Sequence, residues 1–233
     1  MIIGGIQKLT LLDFPGRVAV MIFTKGCNFR CPYCHNPELI REGGNNLTPQ
    51  QVLDHIERRK FFLDGVVITG GEPTIHQGLV EFCRKIKEMG LEIKLDTNGS
   101  NPMTLKTLLQ QGLVDYVAMD VKAGWRNYEK VTGTPGIEGN CIRSMALIRE
   151  AGRESGMEYE FRTTIYPPVN DTLDIASIKN QMLAGENYYT QPMRTGSCLD
   201  EELNRKAIET VELNISGTLE HRARKTVELE IAS

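Results

Sequence analysis

Three of the chain's six cysteines, Cys27, Cys31 and Cys34, stand at C-x3-C-x2-C spacing. Thiolates are ligands for soft and borderline metals, so three on one short stretch pose the question of what they hold. A disulfide would leave one of the three unpaired and belongs to oxidising compartments. Tetrahedral zinc would need His35 or one of the distant Cys83, Cys141 and Cys198 as fourth ligand, and no second C-x2-C or H-x3-H pair is present. Cys31-Pro32-Tyr33-Cys34-His35 formally matches C-x-x-C-H, the attachment of covalent haem, which belongs to exported proteins. A four-iron cluster on three thiolates keeps one iron open, and an open position is what a catalytic metal centre requires.

The loop must be held by its neighbours. Arg17–Thr24 is a nearly continuous apolar run with β-branched residues, which reads as a parallel strand buried on both faces, and the cysteines follow its C-terminal end. In α/β barrels that end carries the chemistry. Four further strands with residues of interest follow the same logic. Gly65–Thr69 runs into Gly70-Gly71-Glu72, where adjacent glycines permit positive φ and close approach to a ligand, although an ordinary turn would read alike. Leu91–Leu95 ends at Asp96-Thr97-Asn98-Gly99. Leu113–Met119 ends at Asp120-Val121-Lys122, whose first and last side chains can share a face, as a ligand pair or as a salt bridge on the rim. Met157–Phe161 leads to Arg162, which faces the site or lies on the exposed rim. Glu186–Gln191 is the sixth strand.

Between the strands lie helical patterns. Thr48-Pro49 with Gln51 has the form of an N-cap, N1 proline and capping box, and predicts a helix to about Lys60. Helices are also expected from about His76 to Met89 (closed by Gly90), Asn101–Gln111, 140–154, 170–183 and 199–213. Cys83, Cys141 and Met145 fall on apolar faces and read as core. Trp125–Gly139 reads as a loop with a short helix, a candidate lid. Six strand–helix units imply an α/β fold with a parallel sheet, an incomplete (β/α)6 TIM-like barrel open along one side. Residues 1–16 read as an N-terminal extension, irregular or a β-edge, 17–198 as the core domain, and 199–233 as a C-terminal helix and polar tail.

Composition narrows the class. The 233 residues are 40% hydrophobic, enough for a sizeable core, and the formal charge of −3 with interspersed signs points to neither nucleic acid nor an anionic membrane surface. No apolar run is long enough to span a membrane, and the N-terminus lacks the pattern of a signal peptide. The expected compartment is the reducing cytoplasm, where clustered cysteines favour metal or catalysis over bridges.

The cysteine spacing, with the aromatic Tyr33 before its last member, resembles the signature of the radical S-adenosylmethionine (SAM) superfamily. The string Leu11–Gly16, with Thr24–Cys27 and Cys34–Pro37, resembles the glycyl-radical-enzyme activating proteins, and among them those of anaerobic ribonucleoside-triphosphate reductase, over roughly residues 5–195. The resemblance implies the same open barrel, one [4Fe–4S] cluster on Cys27, Cys31 and Cys34, and SAM as second cofactor. It implies that Gly70, Gly71 and Glu72 bind the SAM amino group. Asp96 and Thr97, with Asn98 beside them, would belong to the SAM pocket near a monovalent-cation position. Asp120 and Lys122 would stand beside the SAM carboxylate and ribose, and Tyr33 and Arg162 complete the expected cofactor-binding set. The implied reaction is reductive cleavage of SAM and abstraction of a hydrogen from a glycine of the anaerobic reductase, with flavodoxin or ferredoxin as electron donor. Two alternatives stay open within the superfamily: a glycyl radical enzyme of the pyruvate formate-lyase type, or a small-molecule substrate. Outside it, a non-catalytic iron–sulfur or zinc protein remains.

Overall fold

Seven strands form one sheet whose spatial order follows the chain, β1 (Ile3–Thr10), β2 (Ala19–Thr24), β3 (Gly65–Gly70), β4 (Glu92–Thr97), β5 (Tyr116–Asp120), β6 (Glu158–Ile165) and β7 (Tyr188–Pro192). The computed structural model describes residues 1–41, 44, 46–194 and 198–205. β1 runs antiparallel to β2, and β2 to β7 are parallel neighbours. The six parallel strands are those expected, and the N-terminal segment is the β-edge of its two readings. β1 and β7 are the two ends of the strand order, so the barrel is incomplete and open on one side.

The connections carry α1 (Pro37–Ile40), α2 (Pro49–Glu57), α3 (Leu79–Glu88), α4 (Pro102–Gln110), α5 (Tyr128–Thr132), α6 (Glu138–Ser155), α7 (Thr172–Lys179) and α8 (Glu201–Arg205). Local chemistry sets their starts. The Thr48 hydroxyl accepts from Gln51 N while Gln51 Oε1 accepts from Thr48 N, the capping box the sequence announced. Asn101 and Asp171 cap α4 and α7 in the same sense. α3 starts three residues later than expected. Glu72 caps a separate 3-10 turn at Pro73–Ile75, and Gly78 takes the N-cap. α7 ends four residues before the expected Leu183. Of the helix expected over 199–213, Glu201–Arg205 is described; the remainder and the tail lie outside the described residues. No helix among the described residues is long and apolar enough to cross a membrane.

The period of two splits each strand between two environments. Val20, Ile22, Val66, Ile68, Ile93, Leu95, Val117 and Met119 point outward to the helices and form the main core, with Cys83, Cys141 and Met145 as expected. Burying such side chains completely contributes about 1.5–3 kcal/mol each. The opposite faces line the barrel. Ala19, Met21, Val67, Tyr116 and Ala118 pack there with Phe14, whose ring lies edge-on to Tyr116 at 6.0 Å between centroids. Phe14 closes the lower interior, and a Cβ on Gly65 would meet its ring at 2.7 Å. Above this plug the interior turns polar, and the site begins.

Candidate functional site: a cavity at the carboxyl ends of the parallel strands

The cysteine loop leaves β2 at Thr24 and is fixed at several points. Gly26, with φ +89°, donates to Leu39 O at 2.6 Å and folds the loop onto α1. Arg30 N donates to Thr132 O and Thr134 Oγ1 to Asn28 O, so the expected lid segment lies against this loop. On the other flank Leu199 N and Asp200 N donate to Cys34 O and Pro32 O, both at 3.0 Å. The three thiols face one cavity with about 900 Å³ of empty space, part of it open to solvent.

The Gly70-Gly71-Glu72 turn is bonded directly to that loop. Gly71 N donates to Thr24 O and Glu72 N to Gly26 O, each at 2.9 Å. Gly70 has φ +110°, a conformation open to glycine. Glu72 is fully buried, and its carboxylate accepts from Thr74 N, Thr74 Oγ1, Thr97 Oγ1 and Asn98 N. These bonds join the end of β3 to the end of β4. Burial raises the Glu72 pKa against the pull of those donors.

The remaining wall is charged. Arg162 Nε donates to Asp120 Oδ1 at 2.8 Å, and Lys122 Nζ donates to Asp120 Oδ2 at 3.0 Å. Burial opposes ionisation of Asp120, yet Arg162 and Lys122 hold its pKa down at about 2. Desolvation lowers both Lys122 and Arg162, yet both are raised: Asp120 outweighs it for Lys122, and Asp120, Asp96 and Glu160 together outweigh it for Arg162. Burial pushes the Cys31 thiol up to about 12 and Cys27 to about 11, with Cys34 raised in the same direction. Burial thus disfavours thiolate in the bare site, and a bound cation is what would stabilise it.

Every expected site residue lines this cavity: Cys27, Cys31, Tyr33, Cys34, Gly70, Gly71, Glu72, Asp96, Thr97, Asp120, Lys122 and Arg162. Arg162 faces the interior rather than the rim, and Asn98 is there too. Tyr33 has its ring turned into the core against Tyr166, 5.3 Å between centroids. Its hydroxyl has no hydrogen-bond partner among the described residues. Several lining residues carried no signal by spacing. Thr69 stands one residue before the end of β3, and Gln191 of β7 donates to Thr164 of β6. The alternation of β3 and β6 with their neighbours could have pointed to Thr69 and Thr164.

The site's composition accords with what comparison with known proteins finds. Residues 21–176 match the family model of the radical SAM superfamily, and the chain belongs to that superfamily. Within it the chain falls with the glycyl-radical enzyme activating enzymes. It is 33% identical over 206 residues to a Methanocaldococcus jannaschii protein assigned by inference to that activity, covering 88% of this chain and 85% of the relative. It is also 29% identical to the pyruvate formate-lyase-activating enzyme of Clostridium pasteurianum, covering 73% and 71%. Among solved structures, Streptococcus suis SuiB bound to its precursor peptide SuiA superposes with TM-score 0.60 at 14% identity. The protein anSMEcpe with bound AdoMet and a peptide gives 0.56 at 16%. This chain covers 79% and 76% of itself in those matches but 44% and 51% of the larger chains, so they speak for the fold alone.

The superfamily's cofactors are a [4Fe–4S] cluster and SAM, and the residues present fit them. Three thiols share one cavity, without convergence of three His, Cys, Asp or Glu side chains on a single ion's position among the described residues. Thiolates on separate irons of a cubane stand wider apart than thiolates on one metal ion, so a trio around a cavity suits a cluster. The Glu72 carboxylate and the Lys122 ammonium offer opposite charges to the ammonium and carboxylate of an amino acid.

Proposed function

We propose that this chain is the activating enzyme of an anaerobic ribonucleoside-triphosphate reductase, working in the cytoplasm with flavodoxin or ferredoxin as electron donor. The reading rests on one observation above the others. Three thiols, a glycine-rich turn with a buried carboxylate, and an Asp–Lys–Arg group from four different strand ends line one cavity. A structural metal site has no use for the second and third of these.

Cys27, Cys31 and Cys34 would hold the cluster. When bound, it would supply the electron for reductive cleavage of SAM, the chemistry by which a hydrogen atom would be taken from a glycine Cα of the partner. The protein's part is position and exclusion of water. Glu72 and the carbonyls of Gly70 and Gly71 would accept from the SAM ammonium. Lys122, steadied by Asp120, would meet its carboxylate. Asp96, Thr97 and Asn98 form the next wall, and Tyr33 backs the cysteine loop. The open side of the sheet leaves room for a loop of a protein substrate, which favours a macromolecular target over a small one. The choice of reductase is supported by the Leu11–Gly16 and His35–Pro37 strings, and the Clostridium relative keeps pyruvate formate-lyase as the second reading.

Anaerobically reconstituted protein should form 5′-deoxyadenosine from SAM under reduction. Mixed with the reductase it should give a glycyl-type EPR doublet, and with pyruvate formate-lyase none. Cys34→Ala should abolish both signals. Full activity in that variant sinks the cluster assignment, and a doublet only with pyruvate formate-lyase moves the target.

A further inference from the structure

The resemblance placed a monovalent cation beside Asp96 and Thr97. The carboxylate oxygens there already face donors belonging to the protein. Lys94, fully buried, sets its Nζ 2.5 Å from Asp96 Oδ1. Asp96 Oδ2 accepts from Thr69 Oγ1 at 3.2 Å and lies 3.5 Å from Arg162 Nη1. Asp120 Oδ1 takes Arg162 Nε and Oδ2 takes Lys122 Nζ. Arg162 Nη1 is also 3.7 Å from Glu160 Oε1, and Tyr116 donates to Glu160 Oε2 at 2.7 Å. Even the Thr97 hydroxyl is engaged, donating to Glu72 and accepting from Gly99 N.

Two consequences follow. The side-chain oxygens of Asp96, Asp120 and Thr97 each already accept from an N–H or O–H donor, whose hydrogen a cation on that side would meet. The charges also cancel: Asp96, Asp120 and Glu160 oppose Lys94, Lys122 and Arg162. A hard cation is drawn to oxygens whose charge is uncompensated, and a balanced buried network offers none. Glu72, a further acid at the cavity, is satisfied by hydroxyl and backbone N–H donors, which leaves its charge for the SAM ammonium.

We propose that the Arg162 guanidinium, bridging Asp96 and Asp120, stands in the place of a monovalent cation, so that this chain binds SAM without Na⁺ or K⁺. Its planar, permanently charged fork suits a fixed bridge between two carboxylates. Nη1 is buried and makes no hydrogen bond of its own; it lies at ion-pair range of Asp96 Oδ2 (3.5 Å) and Glu160 Oε1 (3.7 Å), between the carboxylates it neutralises. The role of this bridge in holding SAM rests on the function proposed above; its cation-replacing role does not.

The test is a pair of melts on cluster-free protein, in potassium chloride and in tetramethylammonium chloride at equal ionic strength. Wild type should melt at the same temperature in both. Arg162→Gln uncovers two carboxylates, so K⁺ at about ten times its Kd should raise the Tm by roughly 3–6 °C. Arg162→Lys, which keeps the charge, should be insensitive like wild type. K⁺-specific stabilisation of wild type overturns the proposal, as does an Arg162→Gln variant that ignores K⁺. Should Arg162→Gln fail to fold, wild type and Arg162→Lys decide: K⁺ response in either is fatal, and its absence in both supports the proposal. In reconstituted wild type, replacing K⁺ should change 5′-deoxyadenosine formation by less than about twofold. No product in any salt would count against the proposed function and leave the melts readable.

Discussion

Gly71→Ala is the sharpest perturbation the structure offers. A Cβ built on Gly71 lies 1.9 Å from Gly26 O and 2.7 Å from Gly26 C, both backbone atoms. Side-chain rotation cannot relieve that contact. The turn after β3 and the cysteine loop must separate by more than an ångström, and the Glu72 N to Gly26 O bond at 2.9 Å opens with them. Overpacking of this kind costs about 1–3 kcal/mol and the lost hydrogen bond about 0.5–1.5. The sum, about 1.5–4.5 kcal/mol, lowers the Tm of a chain this size by roughly 3–18 °C. Scanning fluorimetry on cluster-free protein reads the stability, and iron content after anaerobic reconstitution reads the loop. Both should fall. Gly139→Ala is the control: it sits in α6 with nothing within 4 Å of the added carbon, and should be neutral or stabilising by up to about 1 kcal/mol. A Gly71→Ala protein that melts with wild type and loads a full complement of iron refutes the close approach and the coupling of the two loops.

Two further outcomes follow from carboxylates held by several donors. Asp174 accepts from Gly124 N, Asn127 Nδ2 and Asn170 Nδ2 at 2.8–3.0 Å and so holds the segment after Lys122 against α7. Asp174→Ala should cost about 3 kcal/mol in urea unfolding, by leaving several donors unpaired, and should weaken SAM binding; unchanged stability would show that the clamp is dispensable. Asp120 has its pKa depressed to about 2, so its contribution is present above the usual carboxylate range and is lost as pH falls through it. The stability gap between wild type and Asp120→Asn should therefore narrow by about 1 kcal/mol from pH 6 to pH 3, and curves that stay parallel over that window would deny the ion pairs.

The parts of the fold legible in the sequence were those written by local rules. The buried parallel strands declared themselves as apolar runs. Thr48, Asn101 and Asp171 announced helix starts because capping involves residues three apart. The cysteine trio and Gly70-Gly71-Glu72 were legible because they are contiguous. What stayed hidden depends on registry between strands. Met21, Val67, Lys94 and Tyr116 form one row around the barrel, and Asp120 pairs with Arg162 in a higher one. Nothing near Lys94 in the chain says that its row ends inside the barrel. In isolation Leu91–Leu95 alternates like a strand with a wet face, and Lys94 reads as solvent-facing. The separate turn at Pro73–Ile75 before α3 was hidden for a similar reason, because the Glu72 side chain that caps it is held partly by Thr97, twenty-five residues on.

That hidden row carries the argument for function beyond the cysteines. A barrel interior with Phe14, Met21, Val67 and Tyr116 at its base could be finished with more apolar side chains. Replacing a buried ionic network by well-packed apolar residues is often neutral or stabilising, because desolvation offsets the Coulomb attraction. Stability therefore does not account for Lys94, Asp96, Glu160 and Arg162, all less than a tenth exposed. Their placement does: the network changes to charge where the interior meets the cavity, and ends at Asp120 and Lys122 on its wall. Each member fixes the next, so the ammonium and guanidinium that face the cavity have little freedom left to lose when an anionic group arrives. Lys122 and Arg162, held in place by their carboxylate partners beside a donor-bound Glu72, would suit the two ends of an amino acid, as the proposed function requires.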